Sequence, residues 1–340
     1  MLTVRNIEIL KAIVEEFIDS AEPVGSKTLM KKYNLPYSSA TIRNDMAALE
    51  AQGYLEKTHT SSGRIPSNKG YQFYCEHLIN DEDLETDEEV KYAISNIFSH
   101  NSMNIDDAIK ESCRVISDMT NLTSGILGTE ANEQTLEHIK LFPIDAKTAV
   151  CVFITNIGHT ENKVFNFQDE VSIEDIQNCT DVLNDRLKGT PINELQNKMK
   201  SIKPILTKCV KRHEMLFNAF YGAFVKFASE KLYFSGKSNM MYQPEFSDIE
   251  KLKELMHVMD DSNLFRQLIS NEDKSNLALK TESGTDLVWF DDVTVVSSDI
   301  PIGDNDEKVK LMVLGPNRMQ YDRILGLVDY VSSVIEKKYK

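Results

Sequence analysis

The first 79 residues constrain the fold most, because three short helical patterns occur there with abrupt breaks between them. Apolar residues recur at helical spacing over 7–21, 26–33 and 39–53. Pro23 and Pro36 separate these patterns, since proline forces the residue before it out of the helical region. Three short helices joined by tight turns are typical of a helix-turn-helix layout.

A hairpin pattern follows the third helix directly. Residues 54–57 and 64–66 have the composition of two short strands, and the polar segment 60–63 between them ends in Gly63. We expect Gly63 to adopt a positive φ at the turn, which glycine does without steric cost. The sequence therefore predicts a winged helix-turn-helix domain over 1–79.

The third helix has an unusual outward face. At 100° per residue, Ile42, Met46 and Leu49 point inward. The opposite side lacks acids and is built mostly of small residues, which would let the helix enter a major groove about 12 Å wide. The residues on this side are Ala40, Asn44 and Ala47, flanked by Thr41, Arg43 and Ala48.

Two of these residues have the chemistry of base readout. Arg43 can donate two hydrogen bonds to guanine, and Asn44 can pair with adenine. Ser38 and Ser39 lie at the helix N-terminus, where hydroxyls and free amides suit a phosphate. The alternative is that the alanines only favour helix and the serines only cap it.

The hairpin tip supplies a second set of candidate DNA contacts. Hydroxyls, amides and one fixed positive charge suit backbone phosphates, or an arginine in the minor groove. An ordinary polar hairpin tip would look the same. The candidates are His59, Thr60, Ser61, Ser62 and Arg64.

Charge is unevenly distributed along the chain. Residues 1–79 hold nine basic and nine acidic residues, so the remainder carries the whole net charge of −15. Within 26–74 there are seven basic and three acidic residues. A locally basic module on an acidic body is typical of binding to a polyanion, although chance variation can also produce it.

Motifs of common enzymes are absent from the sequence. It contains no His-Glu-x-x-His, Gly-x-Ser-x-Gly or Gly-x-Gly-x-x-Gly pattern, and the acidic run 81–89 is a solvated charge block. The five cysteines never form a Cys-x-x-Cys pair and are typical of reduced cytosolic thiols. We therefore predict a non-enzyme with no catalytic residue, no metal site and no cofactor. No segment is apolar for long enough to span a bilayer.

Long segments resemble a known family. The strings EPVGSKTL, SSATIRNDMAALEAQGYLEK and HTSSGRIPSNKGYQFY are similar to the N-terminal domain of the bacterial heat-inducible transcription repressor family, HrcA. The string LGPNRMQYDRILGLVDYV resembles the family's closing segment. The resemblance therefore brackets the chain.

The resemblance implies an α+β multidomain protein, in which the winged helix precedes a GAF-like domain interrupted by an inserted dimerisation domain. Alternating strand and helix patterns after residue 105 agree with that order, and they include a strand at 123–127 and helices at 173–187 and 205–228. We place an acidic linker and helix at 80–104, the two parts of the GAF-like domain at 105–186 and 247–340, and the insertion at 187–246.

An aromatic stripe at helical spacing lies inside the expected insertion. It is either the core of one protomer or part of the dimer interface, because large aromatics suit both. The candidate interface residues are Phe217, Phe220, Tyr221 and Phe224.

The function that the resemblance implies is a repressor of chaperone operons in the bacterial cytoplasm, associated with the nucleoid. Its expected partners are a double-stranded DNA operator of the CIRCE inverted-repeat type, a second copy of the chain, and a GroE-type chaperonin needed for activity. Two alternatives remain open. One is a winged-helix regulator controlled by a small-molecule ligand of the GAF-like domain, and the other is a protein-interaction module that does not bind DNA.

Overall fold

The computed structural model describes residues 2–58, 63–79, 84, 88–99, 105–128, 134–156, 158, 160–229, 232–270, 277–302 and 307–339. The fold is mixed α+β. Its helices are α1 Val4–Ser20, α2 Ser26–Lys32, α3 Ser39–Ala51, α4 Asn68–His77, α5 Glu88–Ser99, α6 Ile105–Thr120, α7 Ile173–Leu187, α8 Leu195–Cys209, α9 His213–Ser229, α10 Ile249–Asp260, α11 Ser262–Ile269 and α12 Tyr321–Tyr339. Its strands are β1 Leu55–Lys57, β2 Arg64–Pro66, β3 Thr123–Leu127, β4 Leu136–Pro143, β5 Thr148–Thr155, β6 Thr160–Asn166, β7 Leu232–Ser235, β8 Leu277–Lys280, β9 Asp286–Phe290, β10 Val293–Ile302 and β11 Glu307–Pro316.

The N-terminal helices and hairpin lie where the sequence places them. Helices α1, α2 and α3 bury their apolar faces against one another, and β1 pairs antiparallel with β2. Val24, between α1 and α2, adds a bridge to the hairpin, with hydrogen bonds of 2.9 and 3.0 Å to Arg64. The sequence analysis missed α4, which follows the hairpin directly.

The two glycines of this region have different roles. Gly53 follows α3 with φ of +79°, as expected for the residue after a helix. The expectation of a positive φ at Gly63 is wrong. Glycine is needed there for close approach, because an added Cβ would lie 2.7 Å from the carbonyl oxygen of Pro23. The hairpin therefore packs directly on the turn between α1 and α2.

The chain divides into two compact units, residues 1–127 with 233–340 and residues 128–232. In the first unit, a six-stranded sheet has the order β7-β3-β11-β10-β9-β8. Helix α12 packs on β10 and β11, α6 packs on β3, and α5 packs on both helices. The N-terminal helices and this sheet share one hydrophobic core.

Polar and aromatic contacts also join the N-terminal module, which is α1 to α4 with the β1–β2 hairpin, to the six-stranded sheet and α12. The Asn317 amide donates to Asn68 at the start of α4, at 2.7 Å. Tyr321 accepts a hydrogen bond from the Trp289 ring nitrogen at 2.8 Å and donates to the Asn317 carbonyl at 2.7 Å. The Tyr71 ring of α4 lies 5.7 Å from the Tyr321 ring. Helix α4 therefore belongs to the first unit's core.

The second unit has a core of its own. Strands β4, β5 and β6 form an antiparallel three-stranded sheet, and α7, α8 and α9 bury their apolar sides with its inner face. The sequence analysis instead assigned 105–186 to the GAF-like domain and began the insertion at 187. The strands over 136–166 belong to the second unit, because they pair with each other and pack on α7. Strand patterns alone do not reveal which sheet a strand joins.

The helical pattern over 205–228 predicts one helix, and this expectation is wrong. Helix α8 starts at Leu195 and continues through Pro204, and the break falls at residues 210–212 before α9. Pro204 is exposed, so its ring and missing N–H are accommodated on the solvent side of the helix.

Candidate nucleic-acid interface

The outward face of α3 is exposed as the periodicity predicts. Ile42 and Leu49 are fully buried and Met46 is 3% exposed. The side chains on the opposite side are exposed and include no carboxylate. They are Ala40, Arg43, Asn44, Ala47 and Ala48.

Helix α3 does contain two acids, and both are paired with arginines from other elements. Asp45 is 7% exposed and accepts two hydrogen bonds from Arg5 of α1, at 2.7 and 3.1 Å. Glu50, in the last turn, pairs with Arg64 of β2 at 2.7 Å. These pairs neutralise the helix's own negative charge and fix its position between α1 and the hairpin. Sequence reasoning missed them, because they join residues 40 and 14 positions apart.

The N-terminus of α3 carries a group of hydroxyls. Ser38 caps the helix, with its Oγ accepting from the Thr41 amide at 3.1 Å. Ser39 lies 2.9 Å from the hydroxyl of Ser26 in α2, and the Arg43 Nε donates to Ser26 at 3.3 Å. Ser38 therefore caps the helix, as the alternative interpretation expects. Its side chain is nevertheless exposed, so the hydroxyl stays at the surface. Arg43 lies beside this group.

The hairpin candidates divide into two groups. His59, Thr60, Ser61 and Ser62 lie outside the described residues. Arg64 is described, and its side chain is only 15% exposed because of the pair with Glu50. To contact a phosphate, the Arg64 guanidinium would have to leave the Glu50 carboxylate or bind both groups at once.

The aromatic stripe of α9 lies inside the second unit. Phe220 and Phe224 are fully buried, and their rings contact Phe153 and Phe165 of the sheet. Phe217 is 8% exposed and belongs to the same hydrophobic core. These three side chains therefore form the core of one protomer, which corrects the interface interpretation for them. Tyr221 is half-buried and stacks on Phe217.

The described residues contain no cluster of His, Cys, Asp or Glu that could hold a metal. Burial raises the pKa of the Cys113 thiol to about 12 and that of the Cys75 thiol well above its usual range, so neither forms a nucleophilic thiolate near neutral pH. Among the same residues, no helix combines the length and hydropathy that crossing a membrane needs.

A cleft of about 790 Å³ opens in the first unit, between α1 and α12. Desolvation, together with the negative charges of Asp19 and Asp322, raises the pKa of the half-buried Glu15, although Lys11 opposes the shift. The cleft has a mixed charge and offers room for a small molecule. Its lining is Glu15, Ile18, Asp19, Tyr33, Tyr74, Leu84, Lys91, Gln320, Asp322 and Arg323.

These features define a class, a multidomain α+β protein with an N-terminal helix–hairpin module whose third helix presents an outward face without acids. The family model for the HrcA protein C terminal domain matches residues 106–325, well over half of the chain. The chain therefore belongs to the HrcA family. That membership supports a transcriptional repressor of the heat-shock response.

Solved structures add information on the fold alone. A hypothetical protein, with a crystal structure at 2.2 Å resolution, is similar to this chain with a TM-score of 0.64 and 19% identity, over 99% of this chain and 98% of that one. The Thermotoga maritima IclR gives a TM-score of 0.20 and 11% identity, over 98% of this chain and 96% of that one. The Agobacterium tumefaciens repressor BlcR gives a TM-score of 0.21 and 9% identity, over 99% of this chain and 98% of that one. The last two scores are too low to carry an argument.

Proposed function

We propose that this protein is a sequence-specific DNA-binding repressor of heat-shock chaperone operons, acting in the bacterial cytoplasm at the nucleoid. The observation that carries the proposal is the exposed, acid-free face of α3 in a chain of net charge −15. The three helices, the hairpin and the family membership support a winged helix-turn-helix, with the six-stranded sheet and its helices as the GAF-like domain.

In this proposal α3 is the recognition helix. Its small side chains allow close approach to the floor of a major groove, where Arg43 reads guanine and Asn44 reads adenine. The hydroxyls of Ser38, Ser39 and Thr41 lie at the helix N-terminus and contact phosphates. The hairpin of β1 and β2 is the wing and contacts the DNA backbone.

The operator in this proposal is a CIRCE-type inverted repeat, which a symmetric homodimer can engage at both half-sites. With the α9 stripe buried, we place the dimer contact on the outer face of the β4–β6 sheet. There Phe142, Val150 and Val164 form a cross-strand row, in which Phe142 is 51% and Val164 59% exposed. Exposed apolar patches of this kind mark interaction surfaces.

A GroE-type chaperonin is the proposed regulator, as the family resemblance implies. When only a fraction of the repressor is competent to bind, its apparent affinity falls by that fraction. Heat would divert the chaperonin to unfolded clients, lower the competent fraction and release the operons.

The test is a titration of the whole chain on three duplexes, namely the inverted repeat, one half-site and a scrambled sequence, at one salt concentration. Tethering of two half-sites raises affinity by about 10²–10⁴, so the full repeat should bind that much more tightly than one half-site. Replacing Phe142 and Val164 with aspartate should remove that gain and give a monomer by sedimentation. The control is Ile173→Asp, at a residue 61% exposed at the start of α7. Equal binding to all three duplexes by the wild-type chain would contradict the proposal.

One alternative retains support from a specific feature, the cleft between α1 and α12. A small molecule there would contact the N-terminal module and the sheet domain together, as in a ligand-controlled regulator. Inspection of the DNA upstream of this gene and of chaperone genes separates the two. An inverted repeat at those positions supports the heat-shock repressor, and its absence favours the ligand-controlled regulator.

A further inference from the structure

Helix α8 and the turn after it form a second acid-free basic segment, in the second unit. No Asp or Glu occurs between Glu194 and Glu214. The rest of residues 128–232 holds seven basic and fourteen acidic residues, so positive charge in this unit is concentrated in one place. The six basic residues of the segment are Lys198, Lys200, Lys203, Lys208, Lys211 and Arg212.

Four of these charges are available to a partner. Lys198 donates to the Thr190 hydroxyl at 2.9 Å, and Arg212 approaches Asp169 at 3.4 Å. The other four are exposed, and no carboxylate of the described residues lies within ion-pairing distance of them. These four, Lys200, Lys203, Lys208 and Lys211, are called the α8 lysine face below.

Two of the four lysines are already ordered by aromatic rings of α9. The Lys203 Nζ lies 5.1 Å from the Phe217 ring centre, and the Lys200 Nζ lies 5.8 Å from that of Tyr221. The two rings stack on each other at 5.8 Å. Cation–π contacts hold the lysine stems along the surface while the ammonium groups face water, so less side-chain entropy is lost on binding.

The composition of the face decides which kind of polyanion fits it. No large hydrophobic residue is exposed among the described side chains of α8, and the exposed residues between the lysines are Ser201, Pro204 and Thr207. Protein–protein interfaces have an apolar core from which lysine is depleted. Flexible ammonium groups suit phosphates, and they carry none of the planar geometry that reads bases.

We propose that the α8 lysine face binds the phosphate backbone of duplex DNA without sequence preference. This inference rests on the proposed function, which makes DNA the polyanion, and it adds a contact surface in the unit that does not contain α3. Each phosphate neutralised on duplex DNA contributes about 0.9 to the slope of log Kobs against log salt. Four contacts therefore contribute a slope of roughly 3 to 4.

The test is the full chain with Lys200, Lys203, Lys208 and Lys211 replaced together by glutamine, which removes the charge but keeps a polar side chain of similar helix propensity. It is titrated against a long linear duplex without an operator over a series of salt concentrations. We expect weaker binding at low salt and a slope shallower by roughly 3 to 4 than that of the wild-type chain. Thermal melting by circular dichroism confirms that the variant is folded.

The matched control removes the same four charges from other exposed positions, Lys147, Lys253, Lys308 and Lys337. Its slope should stay close to that of the wild-type chain. If the α8 variant and the control lose the same slope, only net charge matters and the proposal is overturned. It is also overturned if the α8 variant keeps its slope but changes its sedimentation, because the face then binds protein.

The failure of this inference and that of the proposed function are distinguishable. A chain that binds the long duplex through the α8 lysine face but never prefers an inverted repeat contradicts the repressor and leaves this inference standing. A chain that prefers the repeat, with a slope unaffected by the four substitutions, contradicts only this inference.

Discussion

The outward faces of α3 and α8 are alike in lacking acids and differ in almost everything else. The α3 face presents one arginine and one asparagine among alanines, whereas the α8 face presents four lysines. Small residues and planar donors allow close approach and directional hydrogen bonds, and lysines provide charge at a distance. In both proposals the absence of acids suits a polyanion, and the remaining side chains decide whether sequence can be read.

The two helices also differ in how their charge is held. Helix α3 contains Asp45 and Glu50, whose charges are matched by Arg5 and Arg64 from neighbouring elements. Helix α8 has no acid and no ion pair that fixes it from outside among its described residues. A helix that reads bases must be positioned closely, whereas contacts to phosphates tolerate small displacements.

The largest effect should come from adding an acid to the α3 face. Ala47→Glu places a carboxylate at the centre of the α3 face, and like charges brought together at an interface cost several kcal/mol. Binding to the operator and to a scrambled duplex should both fall by roughly 100-fold or more, because 1.4 kcal/mol is a factor of ten. Thr207→Glu on α8 should weaken binding to a long duplex far less and leave the ratio of operator to scrambled binding unchanged.

The neutral variant Ala47→Gln controls for side-chain size in that experiment. If it loses as much affinity as Ala47→Glu, bulk at the face is responsible and charge is not. If Thr207→Glu changes the operator ratio, α8 takes part in reading sequence and the contrast between the two helices is wrong.

Base readout should produce the next largest effect. Arg43→Ala and Asn44→Ala should each cost about 1–3 kcal/mol on the operator, a loss of roughly 5- to 150-fold, with little change on a scrambled duplex. Titrations on both duplexes at one salt concentration measure this. Gln52→Ala, exposed at the end of α3, serves as the control. Equal losses on both duplexes would show that Arg43 and Asn44 are phosphate contacts or fold supports.

The positioning of α3 can be tested without touching its outward face. Arg5→Ala removes the partner of Asp45 and leaves a carboxylate that is 7% exposed without its two hydrogen bonds. Arg5 itself is about half exposed, so solvent screens the pair and we expect a modest decrease in the free energy of unfolding. Urea denaturation of the whole chain measures it. The control is Lys208→Ala at an exposed position of α8, which should leave the free energy of unfolding within about 0.5 kcal/mol of the wild-type value.

The N-terminal helices and the outward face of α3 were predictable because their determinants are local. Helical spacing, prolines and caps lie within a few residues of the elements that they define, and burial of Ile42 and Leu49 follows from periodicity. The pairs Arg5–Asp45 and Arg64–Glu50 were not predictable, because nothing in spacing indicates which residues meet across elements.

The body was harder to predict for the same reason. The bounds of β3 and α7 agree with the strand and helix patterns at 123–127 and 173–187. Their assignment to different units depends on long-range pairing, which the patterns do not encode. The aromatic stripe of α9 shows why site residues are harder to predict from sequence. Aromatic residues at helical spacing suit a core and an interface equally until their burial is known.

The smallest expected effect on DNA binding comes from Arg64, and it tests the role of the hairpin most directly. The sequence predicts that Arg64→Ala weakens binding to every duplex and flattens the salt slope by about one. In the structure this arginine pairs with Glu50 at 2.7 Å and is 15% exposed, so a phosphate would compete with that carboxylate. Glu50→Gln tests the two roles, because it removes the carboxylate that pairs with Arg64 and a negative charge from the end of α3.

If Arg64 binds a phosphate, Glu50→Gln should strengthen binding to all duplexes, while Arg64→Ala weakens it. If Arg64 only holds the hairpin against α3, Arg64→Ala should keep the wild-type salt slope and both variants should melt at lower temperature. The second result would mean that Arg64 positions the hairpin and does not contact DNA. Sequence-independent contacts would then come from other residues of the wing and from the α8 lysine face.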